Sequence, residues 1–320
     1  MRILVTGSSG FVGYHLVCAL LNRGHHVVGV DNHSDYYSIR LKEHRRNLIP
    51  SKNFTFYLQN INNLQIKECN FDLAINLAAQ AGVRVPKENE HLYETTNVDG
   101  FKDFCNFCIN NKVKKIIYAS SSSVYSDSHT KKFSEEITDL DPKSIYGSSK
   151  LQNEIYADYL ADHNDISMIG LRFFSVYGPL GRPDMAYYLF TEAINNNSPI
   201  ELNNLGKMNR DMTYIDDIIQ GILGAVKLIT NDDVCIKHEK FNLGNDKPIS
   251  TIKLLKTIER KLNKNTTIKH ITTENEAAIT HADITKAKNL LGYQPRTNFE
   301  DGINKFLDWY KKYDEDLQNN

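Results

Sequence analysis

The chain has 320 residues, 41% of them hydrophobic, and sets 38 Lys plus Arg against 39 Asp plus Glu for a formal net charge of -1. That composition excludes disordered and fibrous readings, and the balanced charge offers no excess of cations to recommend a nucleic acid partner. The length is that of about two domains, or of one α/β unit with an added lobe.

Arg2 to Thr6 (RILVT) predicts a short buried strand, followed by glycines and by FVGYHLVCALLNRG, apolar at helical spacing until Gly24 closes it. HVVGVD predicts a second strand, and FTFYLQ, FDLAINLAA, KKIIYASSS and ISMIGLRFFSVYG are further strand-sized runs separated by polar or amphipathic segments. Alternation of this kind implies an α/β fold, a doubly wound parallel sheet of Rossmann type. After Tyr177 the rhythm changes. GPLGRPD is a loop, MAYYLFTEAINNN a helix, RDMTYIDDIIQGILGAVKLI a helix, and KFNLG a strand returning to the sheet, while TIKLLKTIERKLNK and EDGINKFLDWYKKY are amphipathic helices. The expected division is residues 1–175 with about 213–244 as the Rossmann domain. About 176–212 with 245–320 would form a smaller, discontinuous C-terminal substrate lobe.

MRILVTGSSGFVG is broken at Thr6-Gly7, too short for a signal region or for the ~20 apolar residues of a membrane span, and no later stretch does better. Five scattered cysteines, of which Cys105 and Cys108 form the one close pair, fit reduced packing thiols, so a cytoplasmic protein without membrane association is expected. No His/Cys/Asp/Glu grouping has metal-ligand spacing, and the 11 histidines are dispersed, which argues against a metal-dependent hydrolase.

Gly7, Gly10 and Gly13 lie between the first strand and first helix, with Phe11 and Val12 opening that helix. Glycines there allow a tight turn, backbone approach to a pyrophosphate and close helix packing, and the helix amides then face the phosphates. Asp31 ends the second strand, where its carboxylate can accept both adenosine ribose hydroxyls and repel a 2′-phosphate. The pattern predicts NAD rather than NADP.

Tyr146 and Lys150 are four apart at the start of a helical pattern and share a face. An ammonium and a nicotinamide cation beside Tyr146 favour its phenolate, which can deprotonate a hydroxyl as hydride leaves the same carbon. By itself such a pair is an ordinary helix surface. The serine run Ser120 to Ser123 follows the strand KKIIYA, at the carboxyl end of the sheet where doubly wound folds hold ligands.

With these residues in place, the chain resembles the extended short-chain dehydrogenase/reductase family. TGSSGFVG is similar to its TGxxGxxG loop, and YASSSSVY with YGSSK to its catalytic set; LAAQAGVR, GRPDMA and GKMNRDMTYIDD are most similar to UDP-glucuronate 4-epimerases, over Met1 to about Trp309. The resemblance implies Ser121, Tyr146 and Lys150 as catalytic residues. Asn60, Ile61, Leu77, Ala78, Ala79 and Tyr146 would join the glycine loop and Asp31 along NAD, with Lys150 on the nicotinamide ribose and Asn97 bracing the site. Arg84, Ser122, Ser123, Ser175, Arg182 and Arg210 would join Ser121 around the sugar nucleotide, the arginines suited to bidentate anion recognition.

The implied reaction is 4-epimerisation of a UDP-sugar, UDP-glucuronate first, through a 4-keto intermediate that rotates before hydride returns; the resemblance also implies a homodimer and a place in polysaccharide biosynthesis. Ser122 and Ser123 stand where 4,6-dehydratases of the family carry Asp-Glu, so the acid and base that dehydration needs are absent there. Alternatives are a 4-epimerase of UDP-glucose or UDP-N-acetylglucosamine, and a non-catalytic NAD sensor or scaffold. Asn60-Ile61 replaces the usual Asp-Ile or Asp-Leu beside adenine, and ENEAAITHAD lacks the Gly-Asp of many relatives.

Overall fold

A computed structural model describes residues 1–68, 70–83, 85–125, 132–271 and 279–318, with side chains through 313. Seven parallel strands form the central sheet: β1 Arg2–Thr6, β2 His26–Asp31, β3 Phe54–Leu58, β4 Leu73–Asn76, β5 Lys115–Ser121, β6 Ser167–Phe173 and β10 His238–Leu243. Their order is β10-β6-β5-β4-β1-β2-β3, so the winding reverses between β1 and β4. A cleft at the carboxyl ends of those two strands is what such a reversal creates.

Alternation along the strands feeds two cores. Ile3 and Val5 of β1 point to one face, where Leu16, Val17 and Leu20 of α1 (Phe11–Leu21) and Ile218, Ile222 and Ala225 of α6 (Ile215–Ile229) cover them. Leu4 points to the other, under Phe104, Cys105 and Cys108 of α3 (Gly100–Asn110) and Ala157 and Leu160 of α4 (Ile145–His163). A strand buried on both sides needs continuous apolar residues, which is why RILVT and KIIYA lack a polar face. Cys105 and Cys108 are ordinary core residues whose thiols burial pushes up; Cys69 lies outside the described residues.

Two expectations are corrected. ISMIGLRFFSVYG is two strands, because after β6 the Phe174 amide bonds Leu243 O at 3.1 Å and the chain then leaves the sheet as β7, Ser175–Tyr177. RDMTY is not helical: it belongs to β9 (Asn209–Tyr214), which pairs with β7 and with β11 (Pro248–Ser250). The helix starts at Ile215, with Asp216 and Asp217 in its first turn against the positive end of its dipole. Short elements were not foreseen: α2 (Ile39–Leu48), the pair β8 (Ile200–Asn203) and β12 (Ile268–Ile271), and α8 (Thr285–Leu291). The helices α5 (Ala186–Asn195), α7 (Thr251–Leu262) and α9 (Phe299–Gln318) are those that the periodicity predicts. No described helix is long and apolar enough to cross a membrane.

Candidate active site

One continuous cleft of about 1860 Å³ opens at the carboxyl ends of β1 and β4. One of its walls begins with the glycine loop. Gly7 has φ +71°, and a Cβ there would stand 2.7 Å from the Ala78 amide nitrogen; a Cβ on Gly13 would stand 1.9 Å from Gly7 O. Only glycine lets the loop, the Leu77–Ala78 backbone and α1 meet this closely. Asn76 locks the same junction, accepting from Thr6 Oγ1 at 2.6 Å and from the Ala78 amide at 3.1 Å. No side chain caps α1 at Gly10 and no acidic residue sits in its first turn, so its positive end is left for an anion.

Asp31 lies at the next strand end, nearly buried, holding the loop by accepting from Ser9 N at 3.0 Å and His33 N at 2.9 Å. Asn60 accepts from Asn62 N at 3.2 Å, starting a short 3-10 turn that seats Ile61 in the second core. Gly7, Gly10, Phe11, Val12, Gly13, Asp31, Asn60, Ile61, Leu77, Ala78 and Ala79 all line the cleft.

The opposite wall is made of side chains. Ser144 caps α4 by accepting from Gly147 N at 3.0 Å, which aims the first turn and Tyr146 into the cleft. One turn on, Lys150 is buried and donates to Ala119 O of β5 at 3.1 Å. Ser121 ends β5 and accepts from Ser123 N at 3.1 Å, so the serine run turns through Ser122 and Ser123 along the cleft. Asn97 reaches from a π-helical segment (Tyr93–Asp99) to Gln80 N at 2.8 Å and Ser149 Oγ at 3.0 Å, bracing the residues behind Tyr146. Ser175 of β7, Arg182 of the following loop and Arg210 of β9 also line the cleft. Arg84 lies outside the described residues, as does the first half of ENEAAITHAD, residues 274–278.

Among the lining residues that escaped the sequence reading are Tyr36, Lys42, Tyr93 and Asp184. Lys42 is buried on the unforeseen α2, donating to Ser34 Oγ at 2.9 Å. Asp184 is paired with Arg182, accepting from its Nε at 3.0 Å and bonding its Nη2, and it also accepts from Tyr36 OH at 3.0 Å. The acid two residues beyond Arg182 in GRPD was the available signal. Tyr93 donates to Gly82 O at 2.7 Å and its ring lies 6.0 Å from that of Tyr146.

Comparison with known proteins agrees with this arrangement. The model of the NAD dependent epimerase/dehydratase family matches residues 3–244. The chain belongs to that family. It is 38% identical to UDP-glucuronate 4-epimerase 4 of Arabidopsis thaliana over 98% of this chain and 76% of that protein. It is 37% identical to Protein CapI of Staphylococcus aureus over 98% and 99%. A crystal structure of UDP-glucuronic acid 4-epimerase from Bacillus cereus, in complex with UDP-glucuronic acid and NAD, superposes with TM-score 0.90 at 32% identity, covering 98% of this chain and 100% of that one.

Charge in this epimerase/dehydratase site is set by burial and by Arg182. Burial pushes the Tyr146 phenol up, while the Arg182 guanidinium and a hydrogen bond from Ser121 pull it back. Lys150 Nζ stands 5.9 Å from the Tyr146 ring centroid and donates to the Ala119 carbonyl. Burial alone lowers Lys150 to about 8. Asp184 is held below the usual carboxylate range by Arg182 against the opposing effect of burial. Among the described residues no group of His, Cys, Asp and Glu is placed to hold a metal ion.

Proposed function

We propose that this chain interconverts the 4-epimers of a UDP-sugar, UDP-glucuronate and UDP-galacturonate first, using NAD. The reading rests on one observation: Ser121, Tyr146 and Lys150 share a cleft wall with three neutral serines, Ser122, Ser123 and Ser175, and with Arg182. The glycine cradle, the uncapped end of α1 and Asp31 suit a dinucleotide, and the Asp31 carboxylate disfavours a 2′-phosphate. Bound there, NAD supplies a reversible hydride acceptor for the hydrogen on sugar carbon 4.

The chain's own residues handle the proton and the geometry. Tyr146 takes the proton from the 4-hydroxyl and returns it, and Ser121 hydrogen-bonds the same oxygen. Lys150 holds the nicotinamide ribose, and Leu77, Ala78, Ala79, Asn60 and Ile61 flank the cofactor. The intermediate of a uronic acid is a β-keto acid, so its carboxylate must be held against loss of carbon dioxide; Ser122, Ser123 and Ser175 give it neutral hydrogen bonds, and Arg182 a cation. Arg210, and Arg84 outside the described residues, serve the diphosphate and the pocket. Neither Ser122 nor Ser123 supplies the carboxyl acid or carboxylate base of a dehydration.

A second reading, a 4-epimerase of UDP-glucose or UDP-N-acetylglucosamine, is favoured by the Arg182–Asp184 ion pair, which already neutralises the cation facing the sugar. Incubating purified protein with NAD and each sugar nucleotide, then separating the epimers, decides between them. Interconversion of UDP-glucuronate is expected; exchange of neutral sugars alone overturns the first reading. No turnover of any of them, with NAD still bound, makes the chain a sensor instead.

The proposed division of labour is residues 1–175 with about 213–244 for NAD and about 176–212 with 245–320 for the sugar nucleotide. We propose a homodimer through α3 and α4, supported by Ile155 and Tyr159, four apart on α4 and 60% and 55% exposed. Elution of the protein at a dimer's mass, and of Ile155→Glu at a monomer's, checks it.

A further inference from the structure

Behind the serine run lies a buried polar system that the reaction as read does not use. Glu154 continues the face of α4 that carries Tyr146 and Lys150, one helical turn further on. Its carboxylate forms a bidentate ion pair with Arg172 of β6, Nε to Oε1 at 2.8 Å and Nη2 to Oε2 at 2.6 Å, with both side chains only 2–3% exposed. Each partner then holds one end of the serine run. Glu154 Oε1 accepts from Ser120 Oγ at 2.5 Å, just before Ser121. Arg172 Nη1 donates to Tyr125 OH at 2.8 Å, just after Val124, and Tyr125 OH donates to Asn242 Oδ1 of β10 at 2.8 Å. Residues 121 to 124 are thus suspended between two anchors belonging to one ion pair.

An ion pair this deep adds little net stability over well-packed apolar side chains, so its presence calls for another explanation. Its geometry supplies one. α4 and β5 touch at three points: Lys150 on the Ala119 carbonyl, Glu154 on the Ser120 hydroxyl, and Ser121 on the Tyr146 phenol. We infer that Glu154 and Arg172 are positioning residues that fix the height of Ser121, Ser122 and Ser123 against the Tyr146 phenol oxygen. The inference rests on the catalytic reading of Ser121 and Tyr146. Displacement of such a unit by about 1 Å can cost up to about a hundredfold in rate.

Ser120→Ala and Tyr125→Phe each release one anchor while leaving the ion pair and the catalytic side chains intact. With the sugar nucleotide that the wild type turns over, kcat should fall about tenfold in each variant, KM should change less than threefold, and NAD binding should be retained. The second readout needs no substrate. Ultraviolet difference titration of the NAD-bound protein against Tyr146→Phe reports the phenol itself, which faces Arg182 from its loop, Lys150 from its own helix and Tyr93 across the cleft. Both releases should raise its midpoint, because the Ser121 hydroxyl no longer reaches the phenolate. Variants that lower Tm yet keep wild-type kcat and titration would overturn the inference. A wild type inactive on every UDP-sugar sinks the functional reading instead, and the titration still judges the positioning.

Discussion

The two walls of the cleft are built from different material. The wall proposed for the cofactor is mostly backbone: a glycine loop pressed against Leu77 and Ala78, the uncapped end of α1, and one carboxylate, Asp31, at a strand end. The wall proposed for the sugar is mostly side chain: Tyr146, Ser121, Ser175 and Arg182, arriving from a helix, two strands and a loop. Backbone recognition is rigid and fails through sterics, whereas side-chain recognition depends on how each group is charged and held by its neighbours. Arg182 shows the second principle, since Asp184 and Tyr36 share its corner of the cleft.

A substitution in each wall separates the two. Tyr146→Phe removes one oxygen from the sugar wall and should lower kcat by roughly 10²–10⁴-fold, the usual worth of a positioned acid–base group, with NAD affinity unchanged. Turnover by single-mixing assay and NAD titration check it together. If turnover survives, the phenol is not the base. Gly13→Ala adds one methyl to the cofactor wall, where it would meet Gly7 O at 1.9 Å. Overpacking of this kind costs about 1–3 kcal/mol, so NAD affinity should weaken by about tenfold to a hundredfold with a lower Tm. An unchanged affinity by calorimetry would mean that the loop yields and the wall is not rigid.

This contrast also explains what the sequence could show. The backbone wall was legible because a positive φ at Gly7 and missing Cβ atoms at three positions leave a spacing that can be counted, and because β1 and β2 are continuous apolar runs. Tyr146 and Lys150 came from their spacing and Ser121 from the family resemblance, and all three line the cleft. The sugar wall was less legible, because β7, β8, β11 and β12 are three or four residues long, too short for periodicity to register. The helical reading of RDMTY ran through a strand whose partners lie far away in the chain. Lys42 escaped because α2 is so charged that its buried face holds only Leu41, Lys42 and Arg45. Nothing local announces that two of those three are cations held inside by hydroxyls and carbonyls.

Lys150 belongs to both walls, and pH should sharpen its role. The folded protein holds it at about 8, so it is an ammonium at neutrality and loses its charge as pH rises through that value. Turnover should therefore fall by about tenfold above pH 8 even as Tyr146 becomes easier to ionise. Stability should move the other way. An unfolded lysine keeps its proton up to about 10.4, so the unfolded state binds more protons than the folded one between about 8 and 10.4. Over that window this residue's burial penalty, full below pH 8, relaxes as pH rises. Comparing kcat and Tm of the wild type and Lys150→Met from pH 7 to 9.5 isolates both effects. A wild-type profile as flat as the variant's would show that the ammonium is not needed.

The smallest expected effect bears most directly on which sugar is bound. Asp184→Asn keeps an acceptor for Tyr36 and for one nitrogen of Arg182 but removes the negative charge, leaving the guanidinium uncompensated on the sugar wall. A hydrogen bond to a charged group is worth about 1.5–3 kcal/mol when fully formed, and Arg182 is partly open to solvent, so only part of that should be realised. The KM for UDP-glucuronate should fall two- to fivefold, while that for UDP-glucose should stay the same, because a neutral hydroxymethyl group gains nothing from a freed cation. Steady-state kinetics on the two substrates reads the ratio directly. Equal increases in both values would mean that Asp184 serves to orient Arg182 rather than to set its charge, and the discrimination between acid and neutral sugar would then fall to Ser122, Ser123 and Ser175.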